Sequence, residues 1–590
     1  MTQKKPRLQD TEEVYCFDRF DPCYYCGGKA MESVGLERVV QTVGVLQAVV
    51  LRAFGPHGGQ VLFTRDTGHL MLSRDGVRVL NALRLDHPLA RMIVECATGH
   101  SALTGDGSKS FILLLASLVQ TVEDAARMEK CAPHSLAREL LSFSLQQLDP
   151  LIASAILPHS EHIIWTDLSA ASSSPVQKLL SGFFHTRLSH AHCNSVSDLL
   201  CQFLSHWTAE VDQSCSCLQF IDDTWPALYT PVIGFPISYS RLLEGQIIHR
   251  DFAVPYSQTT AQPVKAIVVT TPLQPKFMET GLALETGDKG SFVHFSSFWE
   301  SSVECVVSYL QSIGVSLLLS SVKQTDAVLG LATNSQINVV ECVEQEELTL
   351  FMHLSEATAV TDFWDIQAKH VVSLDFCKPV LLGAHRYIHV AFPAKAPVRP
   401  CSLVVCGTGE GQSEQHASAM RDAIKMLKTT WEPPSSAPPP NTSCTPPPDH
   451  YCPRGCVLTS GGAFEILLSL ALQHSPISKR AHVVPRILAD ALLCLPRHIY
   501  SHQPRRFAQM QYTVLQCVQE RLTSPAHLQS NMNLKCCAWG LGLESVFCKY
   551  QLVLAVLQCF SQLLTLDSVI HTKSRLKTME NISCQEEDED

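Results

Sequence analysis

TGDGSKSFILLLASLV, residues Thr104–Val119, sets a Gly-Asp-Gly turn directly against a run of apolar residues. The apolar residues fall on almost every side of a 3.6-residue period, which predicts a deeply buried helix. The turn before it has two readings. Asp106 caps the helix by accepting backbone N–H groups, or the helix N-terminus receives phosphate while the carboxylate holds Mg²⁺ upon it. An isolated Gly-Asp-Gly does not decide between them; its company does.

Upstream, Leu36, Val39, Val40, Val43, Leu46 and Val50 recur at three- and four-residue steps and give one wide apolar helical face. FGPHGG (54–59) ends that helix with Gly and Pro. QVLFTRDTGHLMLSRDGVRVL (60–80) alternates apolar and polar residues around two tight turns and reads as a hairpin. In DHPLARMIVECA (86–97), Pro88 stands in the first turn of a second helix, with Leu89, Met92, Ile93 and Cys96 on one face.

Downstream the texture changes. Between about 226 and 392, β-branched runs such as KAIVVTTPL and INVVECV interleave with helical segments, an α/β pattern. Residues 431–455 are Pro-rich and cannot form a helix interior. Long amphipathic helices return from Gly461, and CQEEDED closes the chain as a solvated acidic tail. Helical patterning at both ends around an α/β middle predicts one discontinuous helical domain with another inserted in it.

Composition narrows the function. The 590 residues imply about three or four domains. Apolar content of 46% with 17% charged residues is globular, and a net charge of −11 disfavours nucleic acid. No apolar run reaches the ~18–20 residues of a bilayer span, so no membrane insertion is expected. The start MTQKKPRLQDTEEVY lacks the apolar core of a secretory signal. The 24 cysteines are scattered among apolar runs, and the single CxxC at Cys23 and Cys26 has no matching second ligand pair. A soluble intracellular protein without a disulfide framework or zinc site follows.

The ordered set FGPHG (54–58), SRDGVRVL (73–80), HPLARMIVECA (87–97) and TGDGSKSF (104–111) resembles the nucleotide-binding half of the chaperonin equatorial domain. Later pieces agree in order: LLEGQIIHRDF (242–252) and VVTTPLQ (268–274) resemble the apical domain, and SLVVCGTGE (402–410) with MRDAIKML (420–427) the return through the intermediate domain. SGGAFEILLSLAL (460–472), ILADALLCLPRHI (487–499) and 544–570 resemble the second equatorial half. The chain is thus similar to group II, cytosolic-type chaperonins over about residues 33–572.

That resemblance implies a multidomain α+β chaperonin fold. A discontinuous, mainly helical equatorial domain occupies 33–150 and 456–572, an intermediate domain 151–225 and 393–430, and an inserted α/β apical domain 226–392. A flexible extension (1–32), the Pro-rich insert (431–455) and an acidic tail (573–590) complete it. It also implies ATP and Mg²⁺ as cofactors. Gly55, Pro56 and Gly58 would turn backbone N–H groups to the phosphates; Gly105, Asp106 and Gly107 would sit at Mg²⁺ and the phosphates, Asp106 as metal ligand, with Ser108 adding a hydroxyl. Asp75 and Asp422 match the catalytic carboxylates that position the attacking water. Gly461 and Gly462 match the glycine turn near the ribose, and Glu544 the acidic residue there. On the residues alone, Asp75-Gly76 is equally a hairpin turn, Asp422 a solvated helix residue and Gly461-Gly462 a helix start.

Departures from the family pattern carry information too. Ser108 and Lys109 stand where the family has two threonines; Lys109 could supply a point cation to phosphate but removes a hydroxyl from the Mg²⁺ neighbourhood. Arg74 replaces the asparagine of group II members, Ser460 the first glycine of a three-glycine turn, and Pro175 a lysine. Region 272–298, where group II members carry a charged helical lid, is short and shows little helical period. Two functions compete: a self-sufficient, ATP-hydrolysing ring foldase of broad client range, and an ATP-binding assembly factor with weak or absent turnover. The departures and appendages favour the second. A small-molecule kinase is disfavoured, because no GxxxxGK[ST] loop is present. For the assembly factor, the resemblance implies subunits of a ciliary coat complex as clients. It also implies cytosolic chaperonin subunits and two sister chaperonin-like proteins as partners, and a cytoplasmic location at the centrosome, basal body and cilium.

Overall fold

The computed structural model describes residues 25–26, 29–64, 70–129, 133–163, 174–188, 190–208, 214–257, 263–274, 289–362, 364–393, 400–431, 455–474, 483–523 and 542–571. The Pro-rich run from 432 to 454, the tail from 572, Cys23 and the first 24 residues lie outside them.

The helix Ser108–Glu129 is the axis of the largest core. Its residues Phe111 to Leu115 are each exposed by 1% or less, as a helix apolar on every side requires. It packs against Leu36–Leu51 from its own half of the chain and against Val483–Leu492 and Val546–Leu564 from the other. One apolar cluster therefore joins Val39–Ile156 to Cys456–Leu564 across the intervening residues 157–455. Two helical segments, Pro133–His159 and Val546–Leu564, are long and apolar enough to cross a membrane by length and composition. Both contribute side chains to this core, among them Leu140, Ile152, Val553 and Phe560.

Three further clusters build the middle of the chain. A four-stranded sheet runs in the order Asn338–Val340, Leu317–Ser320, Val264–Val269, Val372–Leu374. The first three strands are parallel and the last antiparallel. Parallel pairing needs crossovers, supplied by the helices Lys289–Ser312 and Asp326–Asn334. Cys401–Gly407, buried throughout, pairs with Tyr229–Ile233 and Arg241–Glu244 and leads into the helix Glu410–Trp431. That helix returns the chain to the first core, and it contacts the helix Pro88–Thr104.

Three expectations need correction. The hairpin forms from Val61–Thr64 and Leu70–Ser73, but Gly76–Asn81 beyond it is a short helix with Asp75 as its cap, not a continuation of the alternating pattern. The expected extension at 1–32 includes a strand at its end: Lys29–Ser33 pairs antiparallel with Ser568–His571. Helix Lys289–Ser312 begins inside the region read as lacking helical period, while 275–288 lie outside the described residues.

Candidate functional site

The helix Pro88–Thr104 ends on Gly105, in the left-handed region at φ 73°, and Ser108 starts the next helix. The turn between them opens on a cavity of about 340 Å³. The 54–56 loop and the 104–110 turn form one wall, the helix end around 179–186 a second, and Ser460, Gly461 and the 542–552 segment a third. Gly55, Pro56, Asp106, Gly107, Lys109, Gly461 and Glu544 all line it, although they come from four distant stretches of sequence. Gly105 is buried behind the turn, and the buried Ser108 lies against Gly76 rather than at the cavity wall. Gly58 and Gly462 back their loops, at Ala53 and Pro496 respectively.

Asp75 and Asp422 do not line the cavity. Both are joined to Asp106 by a residue that no motif singled out, Arg187, just beyond the helix Pro175–His185. One guanidinium nitrogen, Nη1, lies 2.6 Å from Asp422 Oδ2 and 3.3 Å from Asp75 Oδ1. The other, Nη2, lies 3.3 Å from Asp106 Oδ1 and donates to the Gly105 carbonyl at 2.6 Å. The Arg187 side chain is 4% exposed, its Cζ stands 4.5 Å from the centre of the Phe183 ring, and Gln415 donates to its carbonyl. Burial alone would lower the Arg187 pKa, but the three carboxylates outweigh it and hold the group well above the ordinary arginine value. Burial pushes Asp422 up to about 6, with Asp75 adding repulsion and Arg187 pulling back. Asp106 goes the other way: Arg187, the Gly107 N–H, Lys549 and Lys109 outweigh its burial and hold it below the ordinary range.

Asp75 is further committed, because its two carboxylate oxygens accept the N–H groups of Val77 and Arg78 at the start of the short helix. Lys109, expected to offer a cation to phosphate, instead donates to the carbonyls of Ala53, Arg74 and Thr186 at 3.1, 3.1 and 3.2 Å. Its charge is spent on tying three segments together. Arg74 does similar work, donating to the Gly55 and Pro56 carbonyls at 2.8 and 3.3 Å and so fixing the loop that walls the cavity.

At the far wall, Lys549 lies 2.8 Å from Glu465 Oε1 and 3.3 Å from Glu544 Oε2. Two carboxylates share one ammonium, so the second ionises reluctantly. Burial, opposed by Lys549, pushes Glu544 up to about 7 from an ordinary 4.5. Between those values the folded chain holds a proton that the unfolded chain has released, so stability falls as pH rises from about 5 to 7. Glu544→Gln removes that titration. Urea denaturation from pH 5 to 7.5 should show the parent losing about 2–3 kcal/mol more than the variant. Parallel curves would show that Glu544 ionises normally in the fold.

The walls fit a nucleotide. The N-terminus of a 22-residue helix faces the cavity, and Glu544 Oε1, buried beside it, finds no hydrogen-bond partner among the described residues. The carboxylates do not fit a divalent cation in this arrangement, because Arg187 already takes an oxygen of each. Among the described residues no group of three or more His, Cys, Asp and Glu is placed to hold a metal. Sequence reasoning missed Arg187, Phe183 and Lys549. The first two stand in GFFHTRLSH, which carries no motif, and Lys549 sits in a helix that reads as plain core.

The family model described as the TCP-1/cpn60 chaperonin family matches residues 46–437. A protein named BBSome complex assembly protein BBS10 from Pongo abelii is 32% identical, with 67% of this chain and 57% of that protein covered. The protein of the same name from Homo sapiens is 26% identical, with 94% and 98% covered. A thermosome subunit of Methanothermococcus thermolithotrophicus is 19% identical, with 77% and 76% covered. The matched region thus spans little more than half of the Pongo abelii relative.

Proposed function

The chain belongs to the TCP-1/cpn60 chaperonin family, and from that premise we propose that it is an ATP-binding assembly factor with little or no turnover. The observation that carries this reading is the cavity itself. Loops from both ends of the chain converge on it at a helix N-terminus, yet Asp75 and Asp422, the two carboxylates suited to orienting a water, are both held by Arg187. A bound nucleotide supplies phosphate charge at the meeting point of the two helical halves and the 175–208 segment. Binding there bears on how those parts sit together, which is how a nucleotide acts in a chaperone without being consumed.

The name carried by the relatives supplies the client reading, subunits of the BBSome. Cytosolic chaperonin subunits and sister Bardet–Biedl chaperonin-like proteins are the partners we propose with it, in the cytoplasm near the basal body. The test joins both halves. Ser110 lines the cavity and is half-buried, so Ser110→Trp fills nucleotide space without touching the aspartates. Calorimetric titration with ATP should show at least about a tenfold loss of affinity, about 1.4 kcal/mol, with unchanged circular dichroism. In ciliated cells lacking the endogenous relative, the parent chain should restore a sedimenting BBSome and the variant should not. Rescue by the variant would separate assembly from nucleotide, and no ATP binding by the parent would end the nucleotide reading.

A further inference from the structure

Arg187 makes a closed ion cluster behind the cavity wall, of which only Asp106 lines the cavity. Asp75, Asp106 and Asp422 bring three negative charges, and one guanidinium reaches all three within 3.3 Å. A divalent cation gains its affinity from carboxylate oxygens that nothing else has neutralised. Here Asp75 has both oxygens engaged, Asp422 accepts from Arg187 at 2.6 Å, and the Asp106 side chain, 48% exposed, keeps only its second oxygen free of Arg187. Displacing the guanidinium would strand a buried charge under Phe183, which is far costlier than leaving it paired. The seat is also built into the fold. Phe183 covers one face of Arg187, Gln415 holds its carbonyl, and the Gly105 carbonyl receives its second nitrogen.

We propose that Arg187 is the resident cation of this site, standing where a divalent metal would otherwise sit, and that the cavity takes nucleotide phosphate without a metal ion. The proposal rests, for its ligand, on the nucleotide reading above. Arg187, with Lys109 and Arg74 close by, sets three fixed positive charges against the three aspartates beside the turn where phosphate meets the helix N-terminus, so no metal is needed to offset them. It also keeps Asp75 and Asp422 from orienting a water, which accounts for low turnover by the same contact.

Binding of ATP and of ADP to the full-length protein is measured in EDTA and in excess Mg²⁺. The parent should show affinities within about threefold of each other in the two conditions, well under 1.4 kcal/mol apart. In Arg187→Gln the three aspartates repel phosphate, so affinity in EDTA should fall at least about tenfold and Mg²⁺ should restore it. Electron paramagnetic resonance of Mn²⁺, without nucleotide, gives a second readout: the parent should leave the ion free in solution, and Arg187→Gln should bind it. Parent binding that disappears in EDTA would overturn the proposal while leaving the nucleotide reading intact. Mn²⁺ binding by the parent that Asp106→Asn abolishes would overturn it independently. Absence of nucleotide binding in both conditions would overturn both readings together. If Arg187→Gln fails to fold, the two parent measurements decide alone, with Arg187→Lys, which keeps the charge, expected to remain insensitive to EDTA.

Discussion

Gly105→Ala should lose about 2–5 kcal/mol of stability and take the candidate site with it. A Cβ at position 105 would stand 2.0 Å from the Asp422 carbonyl oxygen and 2.8 Å from the Met426 nitrogen, both in the backbone of the helix Glu410–Trp431. Backbone in the middle of a helix cannot swing aside as a side-chain tip can, so the two helices must separate. The left-handed conformation at φ 73° adds about 1–2 kcal/mol for any residue with a Cβ, and overpacking adds about 1–3 more. The Glu410–Trp431 helix carries Asp422, and the Gly105 carbonyl accepts from Arg187, so the displacement also pulls apart the ion cluster. Thermal unfolding should shift down by roughly 10 °C on the scale for domains of 150–250 residues. Gly99→Ala, six residues earlier in the same pair of turns, is the control, because a Cβ there meets nothing within 4 Å. It should be neutral or gain up to about 1 kcal/mol from helix propensity. Equal stability of the two variants would mean that helices 88–104 and 410–431 do not approach as described.

These two glycines show where sequence reading succeeds and where it stops. A 3.6-residue apolar period reports one helix face, and the helices at 36–51, 88–104 and 108–129 were legible from it because each buries that face in a single core. The hairpin at 61–73 was legible from its alternation, but Gly76–Asn81 was not told apart from strand: six residues are too few for a period, and only the Asp75 cap distinguishes it. The 289–312 helix was missed at its start because Gly287 and Gly290 flank its first residue and read as loop. For the site, motif order brought out seven residues that do line one cavity. It said nothing of Arg187, whose role comes from three aspartates meeting at one point across 81, 112 and 235 positions of chain. No local pattern encodes such a meeting.

Lys109→Met should cost about 2–4 kcal/mol at pH 7, and the cost should grow as the solution is made alkaline. The family pattern places a threonine at this position, and the structure supplies a reason for the lysine. Its ammonium donates to three carbonyls, those of Ala53 after the first helix, Arg74 before the short helix and Thr186 after the 175–185 helix. Methionine matches the stem but leaves all three acceptors unmet, at about 1–3 kcal/mol for a fully buried one. The gross loss is partly offset, because burying the ammonium was itself unfavourable. Burial, with Arg187 and Arg74 nearby, lowers the Lys109 pKa to about 8 from an ordinary 10.5. That shift fixes the sign of the pH dependence. Between pH 8 and 10.5 the unfolded chain still holds the proton that the folded chain has released, so the parent gains stability as pH rises through this window, by up to about 3 kcal/mol. The neutral amine still donates two hydrogen bonds, so the contacts to the carbonyls are largely kept. Methionine does not titrate, and its curve lacks this rise. Urea midpoints for parent and variant at pH 7, 8.5 and 10 should therefore diverge. Convergence toward pH 10 would mean that Lys109 acts mainly as a charge, free to meet phosphate, and a neutral substitution at pH 7 would mean that the three carbonyls find other donors.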